Sequence, residues 1–348
     1  MYYNNKIYQN DLLSIINDNN LSKLNDRSIL ITGASGMIGS VIVDALLFNN
    51  EQNNTNIKIF ALSRNTNTLK NRFISNINNK NLIFIQQDIS NDFNFDYNFD
   101  YIIHAASNAY PKAFSQDPVG TIIANVNGVK NLLDYSKTHG LKRFLYISSG
   151  EVYGQGDSNI DSFDEKYSGY VDNTNARSCY PNAKRTSETL CIAYKEQYSI
   201  ETLIARPCHI YGASTTKKDN RATAQFINNV INDKNIVMKS NGLQLRSYCY
   251  ISDCVSAIIK ILFEGKTGNA YNISNKKSNV TIRELAQTLA KCNNKKVIFE
   301  NPSDIELKSY NPVTKSVLNS SKLEELKWAA KVNLKEGLQR TIDILLDK

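Results

Sequence analysis

The chain has no uninterrupted apolar run approaching ~18 residues, so no segment reads as a membrane-crossing helix. Its first ten residues are rich in Tyr and Asn and carry no apolar core, so no secretory signal is expected. Cysteine is sparse. Cys179, Cys191, Cys208, Cys249, Cys254 and Cys292 form no C-x-x-C pair and have no histidine at metal-ligand spacing. That pattern excludes a zinc site and reads as reduced, mostly buried thiols of a cytoplasmic protein. Blocks of consecutive basic residues are also missing, although 41 Lys and Arg against 33 Asp and Glu give a net charge of +8. With no basic stripe and no aromatic stacking platform, neither nucleic acid nor a membrane is the expected partner, and the positive balance suits ligands that carry phosphates. The 46 asparagines are scattered through patterned sequence, which fits codon bias and not a prion-like tract.

What remains is ordinary globular composition, 41% hydrophobic and 21% charged over 348 residues. The length suits one large α/β domain, or a core with a smaller cap. Strand patterns at Ser28–Thr32, Ile57–Leu62, Leu82–Gln86, Tyr101–His104 and Phe144–Ser148 alternate with helix patterns at Met37–Phe48, Leu69–Ile77 and Thr121–Thr138. Alternation of this kind predicts an α/β fold, a doubly wound parallel sheet of the Rossmann type with both faces covered. After Arg206-Pro207 the pattern becomes shorter and less regular. The expected division is therefore an N-terminal extension (1–25, with one short amphipathic helix), a cofactor domain (26–206) and a smaller α/β substrate domain (207–348) that returns a strand to the main sheet.

The first strand runs into Gly33-Ala34-Ser35-Gly36-Met37-Ile38-Gly39, a G-x-x-G-x-x-G turn opening a helix. Gly33 permits the tight turn, Gly36 lets backbone approach a pyrophosphate, and Gly39 lets the helix pack on the strand. The anion then sits on the free N–H groups of the helix N-terminus, with Ser35, Met37 and Ile38 around it. A dinucleotide is the expected cofactor. The second strand ends in Ser63-Arg64 with no carboxylate for a ribose 2′-hydroxyl, a pairing that suits a 2′-phosphate and tilts the choice between NAD and NADP towards NADP(H). Asp88 and Ile89, after the third strand, are placed to meet the adenine.

Tyr180 and Lys184 stand four residues apart, on one face of a helix. A lysine ammonium beside a phenol is expected to draw its pKa from ~10 towards neutrality, making a base for a sugar hydroxyl. The spacing alone is weak, since Tyr2 and Lys6 share it without any supporting feature. Context supplies the rest. In order along the chain come the glycine turn, Asp100-Tyr101-Ile102-Ile103-His104-Ala105-Ala106, Asn125-Val126-Asn127-Gly128, Ile147-Ser148-Ser149-Gly150-Glu151-Val152-Tyr153-Gly154 and Tyr180–Lys184. Arg206-Pro207, Tyr211-Gly212 and Arg246-Ser247-Tyr248-Cys249-Tyr250-Ile251-Ser252-Asp253 follow. Over about residues 28–340 the chain resembles the extended short-chain dehydrogenase/reductase family, in its nucleotide-sugar epimerase/dehydratase branch.

That resemblance implies roles. Ser149 would hydrogen-bond the sugar 4-hydroxyl, Tyr180 would remove its proton, and Lys184 would hold the nicotinamide ribose. Ala105, Ala106 and Asn125 would line the cofactor. Arg246 and Arg221 would take the substrate diphosphate, with Ser107 and His209 also facing the substrate. His209 stands where relatives often have Asn. Glu151 would be the acid/base at C5 of a 4-keto sugar. The 4,6-dehydratases carry Asp-Glu where this chain has Gly150-Glu151. Arg177-Ser178-Cys179-Tyr180, continuing to Cys191, is closer to the nucleotide-sugar decarboxylases. Those enzymes use a late arginine on the substrate carboxylate, and Lys315 is the only cation in the corresponding stretch 313–318. The implied activity is C4 oxidation of a nucleotide-diphosphate sugar followed by epimerisation, dehydration or decarboxylation, in a cytoplasmic homodimer. A net NADPH-dependent 4-keto-sugar reductase is the alternative, and a non-catalytic cofactor-binding regulator a more distant one.

Overall fold

A computed structural model describes the chain except residues 1, 94, 96, 108, 158, 217–218, 303–312 and 348. Five strands come first: β1 (Ser28–Thr32), β2 (Lys58–Ser63), β3 (Leu82–Gln86), β4 (Tyr101–His104) and β5 (Arg143–Ile147). They join β6 (Thr202–Pro207) and, after β7 (His209–Tyr211), β8 (Ile236–Met238) and β9 (Leu245–Tyr250), β10 (Ala270–Ile273). The main sheet is wholly parallel, in the order β10-β6-β5-β4-β1-β2-β3. β1, β4 and β5 are buried nearly throughout because helices cover both faces. The order reverses between β1 and β4, and the carboxyl ends of the strands on either side of such a switch point form a crevice.

Helices α1 (Lys6–Asn17) and α2 (Met37–Asn53) come before β2. Then follow α3 (Thr66–Arg72), α4 (Pro111–Gln116), α5 (Pro118–Ser136) and α6 (Cys179–Tyr198). α2 runs on past the expected Phe48 and stops only where Asn54 takes up a left-handed conformation (φ 52°). α5 begins earlier than its apolar period suggests. Asp117 caps it by accepting the Gly120 N–H at 2.8 Å, and Pro118 sits in the first turn, where a missing N–H costs nothing. The polar stretch after β2 is α3 followed by a separate 3-10 turn at Ile74–Asn76, not one continuous helix.

The C-terminal half adds α7 (Ala222–Ile231), α8 (Ile251–Glu264) and α9 (Ile282–Cys292). It ends in α10 (Ser321–Glu324) and α11 (Leu334–Leu345). Short strands β11 (Asn279–Thr281) and β13 (Lys315–Ser316) flank β9, which also pairs with β7, and β12 (Val297–Phe299) pairs with β8. Residues 2–25 are built into the main core. Tyr8, Leu12, Ile15 and Ile16 of α1 pack against α2 and α8, which explains why α2 is apolar nearly all round. Polar groups tie down the N-terminal half of the helix. Tyr8 donates to Asp44 Oδ2 at 2.6 Å, where Arg72 also binds, and Tyr250 donates to Asp11, which Arg340 of α11 also holds.

Candidate active site

The sequence-expected residues fall mainly at the carboxyl ends of the sheet strands, in the turns that leave β1, β2, β3, β4 and β5, with α6 across them. In the first turn Gly33 has φ 64°, and a Cβ there would stand 2.7 Å from the Ala105 carbonyl oxygen. A Cβ at Gly39 would collide with the Gly33 carbonyl. Gly36 caps α2 without any side-chain hydrogen bond, so the first N–H groups of a 17-residue helix have no side-chain partner at the cap. Ser35, Met37 and Ile38 lie on this same turn, and the residues therefore fit a pyrophosphate. The loop after β4 is fixed to it: Thr32 Oγ1 accepts the Ala106 N–H at 3.2 Å and lies 2.6 Å from buried His104 Nδ1.

Ser63 ends β2 and accepts the Asn65 N–H. Asp88 accepts from the Ser90 hydroxyl (2.6 Å) and N–H (3.0 Å), which, together with the charge of Arg64, holds its carboxyl below the usual range. Arg64 thus already faces a carboxylate within the chain. Ile89 is buried against the α5 glycine Gly128. Ser107 donates to Asn125 Oδ1 at 3.0 Å, and Asn125 donates to Thr121 O at 2.8 Å, so this pair joins the β4 loop to α5.

The reactive group gathers where β5 meets α6. Ser149 caps a 3-10 turn by accepting the Glu151 N–H at 3.1 Å, and its hydroxyl lies near enough to the Tyr180 phenol to favour the ionised form. Lys184 is 2% exposed and donates to the Ile147 carbonyl at 2.8 Å. Burial pushes its pKa down to about 7, with Glu188 opposing. Tyr180 is buried, and burial, reinforced by the charge of Glu151, raises its pKa above the ordinary phenol value. This corrects the expectation that Lys184 acidifies Tyr180 within the protein alone. Lys184 is too desolvated to be fully charged, and the raising influences on Tyr180 outweigh Arg221 and Arg177.

Three features of the site were not expected from sequence. Phe114 of α4 stacks on Tyr180, with centroids 4.4 Å apart and planes 17° apart. Arg177 lies over the same Phe114 ring, 4.9 Å from its centroid, and binds Glu151 through two N–H groups at 3.1 and 3.4 Å. Below Lys184, Arg206 grips Glu188 at 2.9 and 2.6 Å and also donates to Tyr153 and Glu165 O, which anchors α6 to β6 and to the loop before it. Arg177 stands in a segment that the sequence already singles out, but its partner lies 26 residues away.

The residues expected on the substrate side also converge. The charges of Arg221 and Arg246 both reach Glu151, and both depress His209, whose pKa falls to about 3 chiefly through burial. His209 is therefore a neutral imidazole, with Nδ1 buried and unbonded among the described residues. Arg246 is 4% exposed and donates to the carbonyls of Leu245 and Val313. Arg221 is held by Asp219. Lys315 turns to the Ile160 carbonyl at 2.7 Å. Gly150 has Leu318 Cδ1 3.1 Å from the place of a Cβ. The described residues contain no group of His, Cys, Asp and Glu suited to a metal, and no helix long and apolar enough to cross a membrane.

Comparison with known proteins agrees with this fold. The family model for the NAD dependent epimerase/dehydratase family matches residues 29–274. UDP-glucuronic acid decarboxylase 5 of Arabidopsis thaliana is 34% identical over 313 residues, which cover 89% of this chain and 86% of that one. Among solved structures, a UDP-glucuronic acid 4-epimerase from Bacillus cereus superposes with a TM-score of 0.78 at 23% identity, covering 92% of this chain and 99% of the other. An epimerase from Methanothermobacter thermautotrophicus gives 0.81 at 20% identity, covering 96% and 95%. The two structures share the fold, and the family match together with the plant relative establishes that the chain belongs to the NAD dependent epimerase/dehydratase family.

Proposed function

We propose that the chain oxidises C4 of a UDP-linked sugar and then acts at C5, most closely as the decarboxylases it resembles do. The observation that carries this reading is the assembly of Ser149, Tyr180 and Lys184 with Glu151 beside them, next to a glycine turn that fits a dinucleotide. The turn residues Gly33–Gly39, Ser63, Arg64, Asp88, Ile89, Ala105, Ala106 and Asn125 would hold NAD or NADP. When bound, the dinucleotide supplies the acceptor for the C4 hydride and its later return. Ser149 orients the 4-hydroxyl, and Tyr180 takes the hydroxyl proton. Lys184, with a pKa near neutrality and Ile147 O as its anchor, stabilises the Tyr180 phenolate that accepts this proton and becomes the phenol.

A 4-ketone makes the C5 proton acidic, and it makes a C6 carboxylate a β-keto acid that loses CO2. In either case a carboxyl group beside C5 must move a proton, and Glu151 is the group available. Dehydration at C6 is the least supported of the three outcomes: position 150 carries no acid, and Leu318 crowds the space a side chain would need. Arg246 and Arg221 would bind the diphosphate, with Ser107 and neutral His209 facing the sugar. Exposed Val119, Ile122 and Ile123 on α5, beside α6, support a homodimer built on those helices. The setting we infer is cytoplasmic supply of sugars for surface polysaccharide.

The net reductase reading has Ser63-Arg64 in its favour. Incubation of the purified protein with UDP-glucuronic acid and a trace of NAD separates the two. Mass loss of CO2, or an isomer with unchanged NAD, supports the proposal. Stoichiometric consumption of NADPH on a 4-keto sugar, with no reaction of UDP-glucuronic acid, overturns it.

A further inference from the structure

We propose that Arg177 selects a sugar bearing a C6 carboxylate, taking that carboxylate on the guanidinium that now holds Glu151; the proposal rests on the nucleotide-sugar reading above. Arg177 stands in the 3-10 turn Ala176–Ser178, three residues before Tyr180, and the ring of Phe114 supports it. Because the same ring is stacked on Tyr180, the guanidinium is held beside the phenol that handles C4. Its two bonds to Glu151 place it equally beside the carboxylate that handles C5. A C6 carboxylate is attached to C5 and must lie between these two groups.

The pair is open to a ligand. The side chains of Arg177 and Glu151 are 29% and 34% exposed, and a guanidinium has five donors, enough for a second carboxylate. Of the other cations of the region, Lys184 is buried and bonded to Ile147 O, and Arg221 and Arg246 are assigned above to the diphosphate. Lys315, in the stretch where the sequence pattern first suggested a carboxylate contact, is turned to Ile160 O, with Asp161 3.9 Å away. A neutral hydroxymethyl group offers the guanidinium no charge to pair with, so the contact discriminates uronic acids from neutral hexoses.

The test is calorimetric titration of the NAD-loaded, full-length protein with UDP-glucuronic acid and with UDP-glucose. Arg177→Met should weaken UDP-glucuronic acid by about tenfold to a hundredfold, as expected for loss of a charge-assisted contact, while UDP-glucose affinity changes less than about threefold. Arg177→Lys should restore part of the preference, and Lys315→Met should keep it. Equal loss for both sugars in Arg177→Met, or loss of the preference in Lys315→Met alone, overturns the assignment. Wild-type protein that binds both sugars without preference also overturns it and leaves the nucleotide-sugar reading standing, whereas binding of neither sugar overturns both.

Discussion

The Lys184 ammonium donates to the Ile147 carbonyl at 2.8 Å while lying 4.7 Å from the ring centroid of Tyr146 and 5.6 Å from that of Tyr180. Burial lowers its pKa to about 7, whereas an unfolded lysine titrates at ~10.4. Between those values the unfolded chain binds the extra proton. This group therefore makes stability rise with pH from about 7 to about 10, by at most ~1.4 kcal/mol per pH unit, and exacts its full penalty below pH 7. Lys184→Met should abolish turnover yet stabilise the cofactor-free protein at neutral pH and flatten that slope. Denaturant melts across the range check this; an unchanged slope contradicts it.

Tyr180→Phe should lower turnover by at least ~100-fold, the scale of a lost general base. The ring keeps its stack on Phe114, so fold and cofactor affinity should stay near wild type. Activity assays and NAD titration on the same preparation measure both.

The glycine turn makes a different demand. At Gly33 a side chain would meet the Ala105 carbonyl at 2.7 Å in a left-handed conformation, and both obstacles are backbone. Gly33→Ala should cost NAD affinity and melting temperature together, because Ala105 must move from the cofactor loop. NAD titration and a thermal melt check this; wild-type values for both would contradict it.

The Tyr8–Asp44–Arg72 group ties the N-terminal helix to α2 and α3. Asp44 and Arg72 have side chains only 1% and 10% exposed, so Asp44→Ala leaves a buried guanidinium uncompensated and should cost about 3–5 kcal/mol. Tyr8→Phe removes the hydrogen bond to Asp44 and the longer one from Arg72 but leaves that ion pair intact, and should cost about 1.5–3 kcal/mol. Urea unfolding distinguishes the two; equal losses would contradict the account.

Sequence reading located what is local. β1, β3 and β4 are short apolar runs between turn residues, and the observed strands have the expected limits. The glycine turn and the Tyr180–Lys184 spacing are likewise contained within a few residues. The start of α5 was missed because its cap, Asp117-Pro118, lies outside the apolar period. Arg177–Glu151 and Phe114–Tyr180 were not legible, since they join residues 26 and 66 positions apart through tertiary packing. The shifted pKa values of Lys184 and Tyr180 were missed for the same reason: they follow from burial, which no spacing rule reports.

The central claim is that the C4 hydride leaves and returns within one active site built on Tyr180. UDP-glucuronic acid deuterated at C4, incubated with the protein and a trace of unlabelled NAD, tests it most directly. The account predicts a product that keeps the deuterium at C4, and no product from Tyr180→Phe. Product with hydrogen at C4, or full turnover by Tyr180→Phe, would contradict it.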